Sequence, residues 1–353
     1  MRLWIDVVNA PHVRFFRRFL RIAGGVAGEV LITAREFGQL APMARAAFGG
    51  LPGVRIEVIG GRGKERVEKL SHHLRRVKAL AELVEGWGLP DASVAKASPE
   101  AARVSFGLGV KHVTLNDNDL SEHVSRLTFS LSDRVIVPEE FGRGRAVALG
   151  ARADAVVTFR GIFERSHVVD YLESGSFLES EVPGLEKFES YLIVRPGDPY
   201  ASYSTGTPPL AQMISKVLRE GEGVLLIPRR SEDVAEFRAW LRGDVVTPPG
   251  PVDVMELSRG AVAVVSGGGT IAREAALLGV PAITMFGREL APNRVLKKRG
   301  LLMEATDLSG LREALELARS EKFREFIREE SRRFLEESED AAEVLVRVLS
   351  SLV

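Results

Sequence analysis

The stretch 261–285, AVAVVSGGGTIAREAALLGVPAITM, constrains the fold more than any other part of the chain. Ala261 to Val265 is a run of small and β-branched apolar residues, the composition of a strand buried on both faces. Ser266 and three glycines (Gly267, Gly268, Gly269) follow. Thr270 then opens a helix-compatible run that Gly279 closes, and Pro281 to Met285 reads as the next strand. Strand, turn, helix and strand make a βαβ unit whose loop falls where a parallel sheet offers ligands a crevice. Without side chains on the three glycines the backbone can approach a bound group. The first amides of the helix then face an anion, with the positive end of the helix dipole behind them. Thr270 is the expected N-cap. Glu274, one turn on, is placed to accept hydrogen bonds from a ribose or sugar diol. The chemistry suits a nucleoside diphosphate. Glycine-rich turns also occur in α/β proteins that bind nothing, and this one is neither a Walker loop nor a GxGxxG fingerprint.

The 353 residues allow two domains, each with its own core. Short buried strands alternate with helices throughout, so the expected class is α/β, two Rossmann-like domains with parallel sheets facing a central cleft. Residues 1–163 form the expected N-terminal domain and 164–338 the C-terminal one. A last helix, 339–353, is expected to pack back on the first. Lysines and arginines number 48, as do the acids, so no global field favours nucleic acid. The absence of cysteine excludes disulfides, zinc–thiolate sites and cysteine nucleophiles. The histidines lack metal-ligand spacing, so neither a metal nor a resident cofactor is expected. No apolar run approaches the ~20 residues of a membrane span. Arg2 to Val8 begins directly as a strand rather than as a leader, which points to the cytoplasm.

That first strand ends in Asn9-Ala10-Pro11-His12, with Pro11 suited to the start of a helix. His12 therefore falls on the ligand edge of the sheet, as a candidate base or a structural histidine. Asp6, inside the strand, is either a buried, hydrogen-bonded carboxylate, the favoured reading, or a second polar group reaching the cleft. The following helix, VRFFRRFLRI, mixes Phe15, Phe16 and Phe19 with Arg17 and Arg18. It is either a core helix with a basic outer face or a patch that meets anionic lipids and brings in a lipid-linked acceptor. A second basic run spans Arg62 to Lys78, reading as a solvated helix face or an attractor of phosphate. The strand Lys111 to Leu115 empties into Asn116-Asp117-Asn118-Asp119. On the next helix Glu122 and Arg126 share a face, as a surface ion pair or with Glu122 as an acid–base group. Asp117, Asp119 and Glu122 join His12 as candidates for taking a proton from an acceptor hydroxyl. In the second half Arg195 ends a strand, followed by the polar run 198–206 and a helix over 207–219. A guanidinium binds phosphate bidentately, which makes Arg195 the expected diphosphate clamp. Arg229 and Arg230 occupy another strand end.

The phrase Ser-Gly-Gly-Gly-Thr, a helix bearing Arg273-Glu274-Ala275-Ala276, then Leu-Gly-Val-Pro-Ala resembles the donor-binding segment of GT-B glycosyltransferases and of UDP-N-acetylglucosamine 2-epimerase. Pro292-Asn293 resembles the Asn-containing helix of related transferases. From end to end the chain resembles an uncharacterised, mostly archaeal family described as glycosyltransferase-like, through WIDVVNAPHVRFF, SPEAARVSFGLGV with LND, and SGGGTIAREAALLGVPAI. A more distant similarity extends to lipid-linked N-acetylglucosaminyltransferases. The resemblance implies a metal-independent GT-B enzyme that moves a sugar from a UDP-sugar to a hydroxyl acceptor. Ser266, Gly267, Gly268, Gly269, Thr270, Glu274 and Arg195 would hold the donor, and His12, Asp117 and Glu122 would serve catalysis. Two alternatives stand beside it: a UDP-N-acetylglucosamine 2-epimerase-like enzyme and a non-catalytic nucleotide-sugar-binding protein. The His-x-Glu-Ala-Gly-Leu-Arg phrase of the epimerases is missing, and Asn116-Asp117 stands near its place.

Overall fold

The computed structural model describes residues 1–61, 63, 65–197 and 210–352. The polar run 198–206, the first residues of the helix expected over 207–219, and Arg62 and Lys64 of the basic run lie outside the described residues. The chain divides into two compact units, residues 1–170 with 339–353, and residues 171–338.

The first unit is built on seven parallel strands: β1 (Arg2–Val7), β2 (Glu29–Ala34), β3 (Val54–Val58), β4 (Ala92–Lys96), β5 (Lys111–Leu115), β6 (Arg134–Pro138) and β7 (Val156–Phe159). Their spatial order is β3-β2-β1-β4-β5-β6-β7. The chain winds outward from β1 in one direction and then returns to place β4 on its other side. A doubly wound sheet of this kind opens a crevice beyond the carboxyl ends of β1 and β4. Helices cover both faces, which is why Leu3, Trp4 and Ile5 are all buried in succession rather than alternating with polar residues.

The second unit repeats the plan with six parallel strands: β8 (Ser190–Arg195), β9 (Glu222–Leu226), β10 (Val245–Val246), β11 (Ala263–Ser266), β12 (Ala282–Thr284) and β13 (Met303–Glu304). Their order, β10-β9-β8-β11-β12-β13, puts the equivalent crevice between β8 and β11. Leu192, Val194, Val224, Leu226, Ala263, Val265 and Ile283 are the sheet's part of one buried apolar cluster.

Register in the first sheet brings polar groups together in its interior. Asp6 of β1 stands opposite Thr33 and Ala95. Its carboxylate accepts hydrogen bonds from Thr33 Oγ1 (2.7 Å) and Ser98 Oγ (2.6 Å), and pairs with Arg76 at 2.6 Å. Arg76 Nε donates to the carbonyl of Ile59. A buried charge of this kind is tolerated only when it is paired and fully bonded.

Two expectations are corrected. Phe15, Phe16 and Phe19 on the helix Ala10–Ile22 are completely buried, so they offer nothing to a lipid surface. Arg17 pairs with Asp170 at 2.5 Å, and Arg18 with Asp340 at 2.9 Å. Helix Ala341–Leu352 packs on the same helix, and Asp340 also accepts from Ser166 Oγ and from the Ala342 amide. The membrane reading of this helix fails because its apolar face is core and its basic face is spent on internal ion pairs. The division between units falls after Asp170, not at Phe163, since Ser166 and Asp170 are tied to Asp340, Arg17 and Arg21 of the first unit. The C-terminal region forms helices Leu308–Arg319, Glu321–Glu337 and Ala341–Leu352. Among the described residues no helix is long and apolar enough to cross a membrane.

Candidate functional site

In the second unit the glycine loop occupies the crevice between β8 and β11. The Gly267 amide donates to the carbonyl of Arg195 at 2.9 Å, and the Gly268 amide to Ser266 Oγ at 3.1 Å. A side chain on Gly267 would stand 2.5 Å from the backbone nitrogen of Gly197, so only glycine fits between the two strand ends. The N-cap of helix Thr270–Leu277 is Gly269 rather than Thr270, which is the first helical residue and makes no side-chain cap. The first turn of a helix leaves its amides without intrahelical partners, so this end presents donors and a positive dipole.

Two guanidinium groups reinforce that charge. Arg273 is buried at the base of the loop, in the space a side chain on Gly269 would need, and its Nη1 donates to Asn293 Oδ1 at 2.8 Å. Arg229 reaches the loop from the end of β9. Its Nε donates to the carbonyl of Pro196 at 2.8 Å, and its Nη2 lies 2.8 Å from where a Gly268 side chain would begin. The Arg229 amide is held by Asp233 at 2.9 Å. Arg195, the clamp expected from sequence, sends Nη1 to the carbonyls of Ile227 and Pro228 instead (3.4 and 3.2 Å), bracing the turn that follows β9. Glu274 is buried in the same helix, one turn beyond Thr270. Ser266 is 1% exposed and acts through its hydroxyl on the loop's backbone.

In the first unit the equivalent edge gathers ionisable side chains. His12 lies in the first turn of helix Ala10–Ile22, buried, with Nδ1 3.5 Å from the Val8 amide that points to it. Lys96 ends β4, and its Nζ lies 3.1 Å from Asp117 Oδ2 and 4.2 Å from the centre of the Phe163 ring. Burial, and after it the charge of Lys96, hold the His12 imidazole well below its usual pKa of 6.5; His167 contributes in the same direction and Asp6 opposes. His12 is therefore neutral at neutral pH. Ala97, between Lys96 and the N-cap Ser98, adopts φ 51°, a left-handed conformation that costs a non-glycine residue about 1–2 kcal/mol. Strain of this kind concentrates where a backbone is bent to aim side chains.

Asp117 and Asp119 are both buried. Glu122 is not gathered with them. Its side chain is half exposed and pairs with Arg145 at 3.0 Å, while Arg126, the expected partner, reaches the Ala148 carbonyl. The helix begins at Glu122, so that side chain leaves toward solvent from its first turn. Lys96 was not singled out from sequence. Its signal is a lone lysine ending an otherwise small and apolar strand, ASVAK, just before Ser-Pro. Among the described residues no three His, Asp or Glu side chains are arranged to hold a metal ion.

The chain belongs to the family described as protein of unknown function (DUF354), whose model matches residues 1–351. The uncharacterized protein MJ0665 of Methanocaldococcus jannaschii is 28% identical over 293 residues, 82% of each chain. Among solved structures, the UDP-GlcNAc 2-epimerase of Methanocaldococcus jannaschii, in complex with UDP-GlcNAc and UDP, superposes with a TM-score of 0.71 at 15% identity, covering 99% of this chain and 100% of that one. The glycotransferase of kitacinnamycin superposes with a TM-score of 0.61 at 13% identity, covering 100% and 99%. At such identities the likeness establishes a shared fold, two α/β domains of GT-B type.

Proposed function

We propose that this DUF354 protein is a nucleotide-sugar-dependent glycosyltransferase that takes a UDP-linked donor in its second unit. The observation that carries the reading is the convergence of Arg229 and Arg273 on a glycine loop at the β8–β11 crevice, beside a helix N-terminus. Fixed positive groups there would hold a diphosphate, and the same groups stabilise the charge that grows as it leaves. Glu274 would take the ribose hydroxyls. That proteins of the same fold are solved with UDP bound supports the choice of nucleotide.

In the transfer the acceptor oxygen forms a bond to the anomeric carbon while the bond from that carbon to the diphosphate oxygen breaks, its electron pair leaving on the phosphate. The acceptor proton passes to a base. In this reading His12, whose imidazole is neutral, or Asp117, paired with Lys96, would be that base. Glu122 is the weaker candidate, given its exposed pair with Arg145. The acceptor would be a hydroxyl compound, with a lipid-linked one in keeping with the inference below. This account asks for no metal and no resident cofactor.

A 2-epimerase-like reaction is the second reading, favoured by the higher TM-score against the epimerase. Incubation with UDP-sugars and a panel of hydroxyl acceptors separates the two. Release of UDP that needs acceptor supports transfer. Conversion of the donor sugar without acceptor would support the epimerase, and neither event, in the presence of demonstrated binding, would leave a binding protein.

A further inference from the structure

The helix Arg66–Trp87 has two apolar faces. One carries Leu80 and Val84 into the core, with Arg76 bonded to Asp6 beside them. The other presents Val67, Leu70 and Leu74 to solvent, 76%, 59% and 60% exposed. Spacings of three and four residues put these three on one stripe. Single exposed apolar residues are ordinary, but a stripe of them on one helix marks a contact surface. Around it stand the exposed cations Arg66, Lys69, Arg75 and Lys78. The acids of the same turns, Glu65 and Glu68, are engaged in a capping box at the helix start. Among the described residues Lys78 pairs with Glu82 at 3.7 Å on the open surface, an interaction worth little.

The helix also starts at an informative place. His72 lies 3.7 Å from the point where a side chain on Gly61 would begin, and the Glu36 amide donates to the Gly60 carbonyl. Its first turns thus border the loops that follow β2 and β3, on the same carboxyl edge as His12 and Lys96. Phe37, 42% exposed, sits in the first of those loops.

We propose that this helix seats the first unit on an anionic lipid surface, with Val67, Leu70 and Leu74 in the acyl boundary and Arg66, Lys69, Arg75 and Lys78 against headgroup phosphates. Apolar residues flanked by lysine and arginine on one helix are the chemistry of interfacial binding. The inference stands apart from the donor reading, and its test uses no nucleotide.

The test is cosedimentation of the full chain with vesicles of phosphatidylglycerol and phosphatidylcholine, beside vesicles of phosphatidylcholine alone. Binding is expected to the anionic vesicles, to weaken with salt, and to fall at least tenfold in Leu70→Glu/Leu74→Glu and in Arg66→Glu/Lys69→Glu. All four positions are exposed, and unchanged melting temperatures would verify that the variants fold. Two outcomes overturn the proposal. One is failure of the native chain to bind anionic vesicles at low salt, or equal binding by the variants. The other is a dimer, seen by light scattering, that Leu70→Glu/Leu74→Glu converts to a monomer, which would assign the stripe to a second copy.

Discussion

The guanidinium of Arg273 fills the space that a side chain on Gly269 would occupy, so the third glycine of the loop is fixed by a buried arginine four residues along the same helix. The three glycines are therefore not equivalent. Gly267 abuts the Gly197 backbone, which cannot yield, whereas the close neighbour of Gly268 is the exposed, flexible tip of Arg229. Gly267→Ala is expected to cost about 1–3 kcal/mol of stability through overpacking, and Gly268→Ala less than about 0.5 kcal/mol. Gly268→Ala should nonetheless weaken UDP binding tenfold or more. Urea denaturation and calorimetry check the two effects separately, and a Gly268 variant that binds normally would make the loop purely structural.

Lys96 and His12 are linked by charge. Removing the lysine in Lys96→Met should move the His12 titration upward while burial still keeps it below 6.5. Imidazole resonances followed by NMR against pH report this directly. An unmoved titration would mean that the Lys96 charge does not reach His12.

The Asp6–Arg76 pair should dominate the stability of the first unit. Breaking a buried pair from one side costs about 3–5 kcal/mol, and Asp6→Ala should lose that much in urea denaturation. Burial pushes the Asp6 carboxyl up, but Arg76 and the bonds from Ser98 and Thr33 outweigh it and hold its pKa below 3.8. The stabilisation is therefore complete above pH 3.8 and is lost as pH falls below it, through the lower folded value. Asp6→Ala should flatten the acid limb of the stability profile.

His112 predicts a second, milder pH window. Burial pushes its pKa down from 6.5 to about 4, although Asp6 and Asp133 pull the other way, and its Nδ1 lies 2.7 Å from Ser93 Oγ. A neutral buried histidine must be charged on unfolding in acid. Stability is thus full above pH 6.5 and falls as pH drops toward 4, by about 3 kcal/mol at the end of that window. Unfolding midpoints at pH 7.5 and 4.5 should differ less in His112→Gln than in the native chain.

The fold was readable because its signals are local. Buried strands of small and β-branched residues, as in AVAVV, and turns such as SGGG announce a parallel α/β sheet without knowledge of the partner strand. The site was readable only in part, because side-chain direction depends on distant elements. Arg195 ends the right strand, yet its guanidinium is captured by the carbonyls of Ile227 and Pro228, while Arg229 from the neighbouring strand reaches the loop. Glu122 and Arg126 have the spacing of a pair, yet Arg145, on another helix, takes the glutamate. The Phe and Arg residues of the first helix look amphipathic alone. The helix Ala341–Leu352 and the acids Asp170 and Asp340, far along the chain, cover both of its faces.

The account turns on donor recognition by the glycine loop, Arg229 and Arg273. Its most direct test is calorimetric titration of the full chain with UDP and UDP-N-acetylglucosamine, alongside the nucleoside diphosphates of the other bases. The prediction is saturable binding of a uridine ligand, weakened at least tenfold in Arg229→Ala. At a hundredfold the dissociation constant such a ligand should also stabilise the native state by about 2.7 kcal/mol, visible as a rise in Tm. No heat and no change in Tm with any nucleotide or nucleotide sugar in the panel would contradict it.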